Sequence, residues 1–150
     1  MYVANADQLS TYKLLKGLET NTRKFTNKLL GIFTNNVEKY AVEQEGETSL
    51  VVTQIPSDSK TKSQKVLSSG IHLMKNTVAT YDDKTLVWFA KDEFKTHSLS
   101  AGEEIVSIFA DYNMIVTKLD DNYNVFNLGE KLEKLGKLPS TCSLYAIGER

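Results

Sequence analysis

The chain has 150 residues, of which 41% are hydrophobic and 25% charged, with a net charge of −1; this is enough for one domain with a real core and excludes a disordered segment. Near-neutral charge gives no average field to gather nucleic acid or acidic membranes, and a single cysteine excludes an internal disulfide framework, which fits a reducing compartment. The leading residues MYVANADQLSTYK lack the basic and apolar regions of a secretory leader, and no stretch approaches the roughly 20 apolar residues that cross a bilayer.

In chain order, residues 2–14 give YVAN, a polar corner and LSTYKL. Residues 29–42 give LLGIFT, an Asn35-Asn36 corner and VEKYAV, and residues 48–55 (TSLVVTQI) alternate well enough for an outer strand. Residues 56–64 (PSDSKTKSQ) are polar with no apolar anchor and are predicted to be a mobile loop. Residues 66–74 would open a third unit. TVATY, an Asp82-Asp83-Lys84 corner, TLVWFA and a closing strand from Phe94 to Leu99 would complete it. Residues 103–138 form the clearest unit: EEIVSIFADY, MIVTKL, a corner at Asp120-Asp121-Asn122, YNVFNL and the charged run GEKLEKLGKL. The last run is predicted to be a charged outer strand rather than a short amphipathic helix. Residues 140–147 resemble the first strand of a further unit.

Four corners follow one rule: Asp or Asn at i, a strand-tolerant residue at i+2, an aromatic at i+5. The copies are Asp7/Leu9/Tyr12, Asn35/Val37/Tyr40, Asp83/Thr85/Trp88 and Asp121/Tyr123/Phe126, with corners 28, 48 and 38 residues apart. Eight glycines and two prolines are few for an all-β chain, but Asp and Asn tolerate left-handed backbone and hydrogen-bond their own main chain, so they turn a strand without glycine. The aromatics would supply buried area between neighbouring sheets.

Residues 7–44 also carry a helical pattern. Leu14, Leu15, Leu18, Phe25, Leu29, Leu30, Phe33, Val37 and Tyr40 fall roughly on i, i+3, i+4 spacing. The alternative fold is therefore α+β, with N-terminal helices on an antiparallel sheet and a partner or ligand bound in the groove between them. Gly17, Gly31 and many Thr and Asn residues argue against it.

Candidate sites are few. Cys142 lies in an apolar run where a lone cysteine serves as a small hydrophobe. His72 and His97 have no second ligand at metal spacing. Asp82-Asp83 and Asp120-Asp121 could pair for acid–base work, but turn formation already accounts for them. Glu103-Glu104 reads as a solvated face, and Trp88, the single tryptophan, as core. Lys60, Lys62, Lys65 and Lys75 lack interleaved aromatics and serve solubility better than RNA contact. The sequence carries no phosphate-cradling glycine loop, nucleophile elbow or His-Glu metal helix.

The runs Asp83-Lys84-Thr85-Leu86-Val87-Trp88 and Asp121-Asn122-Tyr123-Asn124-Val125-Phe126 resemble the Asp-to-aromatic end of a WD40 repeat, and the mean corner spacing lies near the about 40–45 residues of such a blade. The resemblance covers nearly the whole chain, without the Gly-His dipeptide or the Trp-Asp pair. It implies an all-β fold, a partial β-propeller-like array of four-stranded antiparallel blades forming one domain over residues 1–150 and belonging to a larger propeller. It further implies a non-catalytic interaction scaffold, a subunit segment of an intracellular assembly in nucleus or cytoplasm. Its partners would be other protein subunits or the remaining blades, with nucleic acid met only indirectly and no cofactor or metal.

Overall fold

A computed structural model describes residues 2–5, 8–13, 18–24, 27–35, 38–55 and 61–141, the first three stretches by their backbone only. Every strand pairing there is antiparallel and joins chain neighbours. The described residues hold no α-helix, only a single 3-10 turn at Ala110–Tyr112. The chain divides into two compact units, Met1–Val66 and Leu67–Arg150.

In the first unit, β1 (Tyr2–Asn5), β2 (Gln8–Lys13) and β3 (Leu18–Lys24) form a three-stranded meander. A four-stranded meander follows, made of β4 (Lys28–Asn35), β5 (Glu38–Glu45), β6 (Ser49–Ile55) and β7 (Thr61–Lys65). These strands overturn the helical alternative for residues 7–44. A sheet covered on both sides carries apolar residues on both faces, so its strands read as short continuous runs that mimic helical spacing. Tyr40, Val42, Leu50 and Val52 fill one face of this sheet, while Leu29, Ala41 and Ile55 fill the other with Ile32 against them. The predicted loop at 56–64 is also corrected in part. Thr61–Lys65 pairs with β6, from Thr53↔Thr61 to Ser49↔Lys65, and residues 56–60 lie outside the described residues. A polar, lysine-bearing sequence suits an edge strand, where the ladder rather than the side chains provides the pairing.

The second unit holds two four-stranded meanders. The first comprises β8 (His72–Leu73), β9 (Val78–Tyr81), β10 (Thr85–Ala90) and β11 (Glu93–Ser98). The second comprises β12 (Glu104–Phe109), β13 (Met114–Leu119), β14 (Asn122–Leu128) and β15 (Leu132–Pro139), so the charged run is a strand. Met74, Ala79, Leu86 and Trp88 from one sheet pack on Ile115 and Leu128 of the next, with Phe126 against them. The opposite face of the β8–β11 sheet, with Val78, Thr80, Val87 and Phe89, is buried as well. Val106 and Leu135, two of the exposed large hydrophobics, are the residues skipped by the pairing at two register shifts, where a bulge turns a side chain outward.

Each of the three four-stranded sheets joins its second and third strands by a tight hairpin, with three residues between the closing partners in the first sheet and two in each of the others. It closes on Glu45↔Ser49 in one sheet and Leu119↔Asn122 in another, and the Asp82 N–H donates to the Thr85 carbonyl at 3.0 Å in the third. Counted from these closures, Val52, Trp88 and Val125 are equivalent, and so are Thr53, Phe89 and Phe126. The four-copy rule read from sequence therefore mixes positions. Asn35 and Tyr40 flank the first hairpin of their sheet, and Phe126 stands one place beyond the equivalent of Trp88, on the other face. A slip of one residue exchanges the faces of a strand. This is why Phe126 and Trp88 meet in one core from facing sheets.

Candidate functional site

The sequence-predicted positions take mainly architectural places. Trp88 is 4% exposed, and its indole N–H donates to the Gly129 carbonyl at 2.8 Å, which ties β10 to the turn after β14. Tyr40 is fully buried, stacks on Phe33 with centroids 5.2 Å apart and donates its hydroxyl hydrogen to the Glu38 carboxylate. Phe126 is half-buried, with the His97 ring 6.4 Å away. Asn35 ends β4 opposite Glu38. Tyr12 lies in β2 with only its backbone described, and Asp7 and Cys142 lie outside the described residues.

The paired aspartates divide their work. Asp82 Oδ1 accepts the main-chain N–H groups of Lys84 at 2.8 Å and Thr85 at 2.7 Å, so it closes the β9–β10 corner through its side chain. Asp120 closes the β13–β14 corner through its backbone, with φ at +55°. Asp83 is the exposed member of the first pair, and both Asp120 and Asp121 are exposed in the second. Neither pair is arranged as an acid–base couple around a cleft.

His72 contacts Ser69, with Nε2 and Oγ 3.2 Å apart, and its ring stacks on Tyr81 at 5.3 Å. Burial lowers its pKa below 6.5, opposed by a hydrogen bond at Ser69. The Ser69 hydroxyl is committed elsewhere: it accepts the Tyr81 N–H at 3.0 Å and donates to the Gly70 carbonyl at 3.2 Å. Among the described residues no carboxylate orients the imidazole, so the pair stitches a turn and lacks the third member of a nucleophilic triad. No group of three or more His, Cys, Asp or Glu side chains among the described residues could hold a metal. Lys62, Lys65 and Lys75 are exposed, and Lys60 lies outside the described residues.

The expectation of a solvated Glu103 is overturned, whereas Glu104 is exposed. Glu103 is 7% exposed; its Oε1 accepts the Ser100 N–H at 3.0 Å and its Oε2 accepts the Thr117 hydroxyl at 2.6 Å. Thr117 pairs across the ladder with Asn124, which is 6% exposed and whose Oδ1 meets no donor in the protein. Sequence reasoning missed this group. Its one signal was a polar residue standing within each of two apolar strands, Thr117 in MIVTKL and Asn124 in YNVFNL.

No protein-family model matches the chain, and no curated protein shows significant similarity to it. No helix among the described residues is long and apolar enough to cross a membrane.

Proposed function

We propose that the chain is a non-catalytic interaction scaffold, a segment of a WD40-like β-propeller that works as a subunit of a larger intracellular assembly. The observation that carries this reading is the repetition of one unit. Three consecutive four-stranded meanders each turn on a tight central hairpin, two of them with a two-residue loop, and two of the three sheets are buried on both faces. A sheet apolar on both faces is suited to layering on both sides, which is how propeller blades use their faces. Such an array offers partners its hairpin turns and its outer strands. Of these, β15 is the most open, with seven of its eight residues exposed, Leu135 and Leu138 among them. Other protein subunits or further blades are the partners this surface suits, through edge pairing or rim contact.

Cross-linking mass spectrometry of the chain in its native cells tests the reading. A reproducible protein partner, cross-linked through Lys131, Lys134 or Lys137 and lost in the double variant Leu135→Asp/Leu138→Asp while the melting curve is unchanged, is the expected result. A chain that stays partner-free, or partners indifferent to changes on every outer strand and turn, would sink it.

A further inference from the structure

A buried polar group lies under the β13–β14 corner, built from Glu103 just before β12, Thr117 on β13 and Asn124 on β14. Thr117 and Asn124 are directly opposed in the ladder, so their side chains share a face about 5 Å apart at Cβ. The Thr117 hydroxyl brings the Glu103 carboxylate to that same face at 2.6 Å. The three residues thus contribute a carboxylate, a hydroxyl oxygen whose hydrogen is already committed, and the unpartnered amide carbonyl of Asn124. All are oxygen acceptors, and one carries charge. Glu103 forms no ion pair among the described residues.

The rest of the fold shows that this position does not require a polar side chain. Counted from the closing pair of each central hairpin, Asn124 is equivalent to Val51 in β6 and Val87 in β10, both buried. An apolar residue fits there, and only the last sheet sets an amide in its place. The surroundings carry both signs: Asp120 and Asp121 at the corner and Glu104 beside Glu103 are exposed, Lys118, paired with Glu104, is half-buried, and the exposed Lys137 stands opposite Asn124.

We propose that Glu103, Thr117 and Asn124 hold a hard cation through oxygen. The carboxylate supplies the charge, and the Asn124 carbonyl and the Thr117 oxygen serve as neutral ligands. Hard oxygen donors without sulfur or imidazole select ions of the Ca²⁺ class over transition metals. A single carboxylate places the affinity at the weak end, with Kd on the order of 10⁻⁴–10⁻³ M. A lone water would give Asn124 its donor but leave the carboxylate uncompensated.

Calcium is the probe. The metal-stripped full chain is titrated with CaCl₂ by calorimetry and melted with and without Ca²⁺, with choline chloride holding ionic strength constant. Saturating Ca²⁺ is expected to raise the Tm of the wild type by about 2–5 °C. The rise should vanish in Glu103→Gln and in Asn124→Val, the latter carrying the residue that β6 and β10 use at this place. No heat and no Tm shift in the wild type overturns the proposal. So does an equal shift in both variants, which would assign binding to the exposed aspartates. Lys137 stands opposite Asn124 on β15. A wild type indifferent to Ca²⁺ and destabilised by Lys137→Met would give the site to that ammonium, and that too overturns the proposal.

Discussion

Asn76 and Asn113 hydrogen-bond each other reciprocally across the two sheets of the second unit. The Asn76 main-chain N–H donates to Asn113 Oδ1 at 2.8 Å, and Asn113 Nδ2 donates to Asn76 Oδ1 at 2.7 Å. Beside them the Lys75 N–H donates to the Ala110 carbonyl at 2.9 Å, so two corners are joined by three polar links. Asn113 also sits at φ +53°, a left-handed conformation that asparagine tolerates better than most residues.

Those two roles of Asn113 are separable. Asn113→Gly keeps the backbone conformation and loses the amide pair, and is expected to cost about 1–2 kcal/mol in urea unfolding. Asn113→Ala adds the left-handed penalty and should cost about 1 kcal/mol more. A double-mutant cycle with Asn76→Ala should give a coupling of about 1 kcal/mol; zero coupling would remove the clasp from the account of how these sheets are held.

Trp88 combines a large buried ring with one polar contact, and the two can be told apart. Trp88→Ala should destabilise by about 3–5 kcal/mol as a core truncation. Trp88→Phe keeps much of the ring and loses the bond to Gly129, so a loss of about 1–2 kcal/mol is expected. Equal losses for the two variants would mean that the indole N–H dominates.

At the β9–β10 corner the two adjacent aspartates should differ sharply. Asp82→Ala strips acceptors from two main-chain N–H groups and should cost about 1–2 kcal/mol. Asp83→Ala, at an exposed position, should stay within about 0.5 kcal/mol of wild type. The reverse order in chemical denaturation would move the turn-closing role to Asp83.

His72 gives the fold a pH dependence of known sign. Burial disfavours its charged form, so the folded pKa lies below the unfolded value of 6.5. The unfolded chain therefore binds more protons just below that value, and stability falls as pH drops from 6.5 toward the folded pKa. Above 6.5 the residue contributes no slope. The urea midpoint of wild type should decline across this window relative to His72→Phe, which keeps a ring against Tyr81. Parallel pH profiles for the two proteins would count against the burial of His72.

Much of the second unit is legible in the sequence. TLVWFA, MIVTKL and YNVFNL are rich in β-branched and aromatic residues, bounded by polar corners, and each becomes a strand. Other parts hide for physical reasons. Strand β7 contains no apolar residue, because an edge strand with exposed side chains has nothing to bury. Strand β8 is two residues long, too short for any period to show. The phase of the repeat is obscured because Asp82 and Asp83, or Asp120 and Asp121, are chemically identical neighbours, and choosing the wrong one exchanges the two faces of the next strand. The burial of Glu103 depends on Thr117, fourteen residues later, and no local pattern carries that information. In the described strands of residues 28–44, apolar runs built for two buried faces imitate a helical stripe.

Because every described sheet is a meander, each strand finds its hydrogen-bonding partner within the next few residues of chain. Such pairing has low contact order, so each sheet can close early at small loop-closure cost, and only the contacts between sheets must wait. During synthesis the sheets would then form one after another as the chain emerges, each ready to template the next. The same locality makes the whole meander the natural quantum of change. A gene that duplicates or deletes one sheet removes no strand's partner, whereas a cut within a meander orphans two.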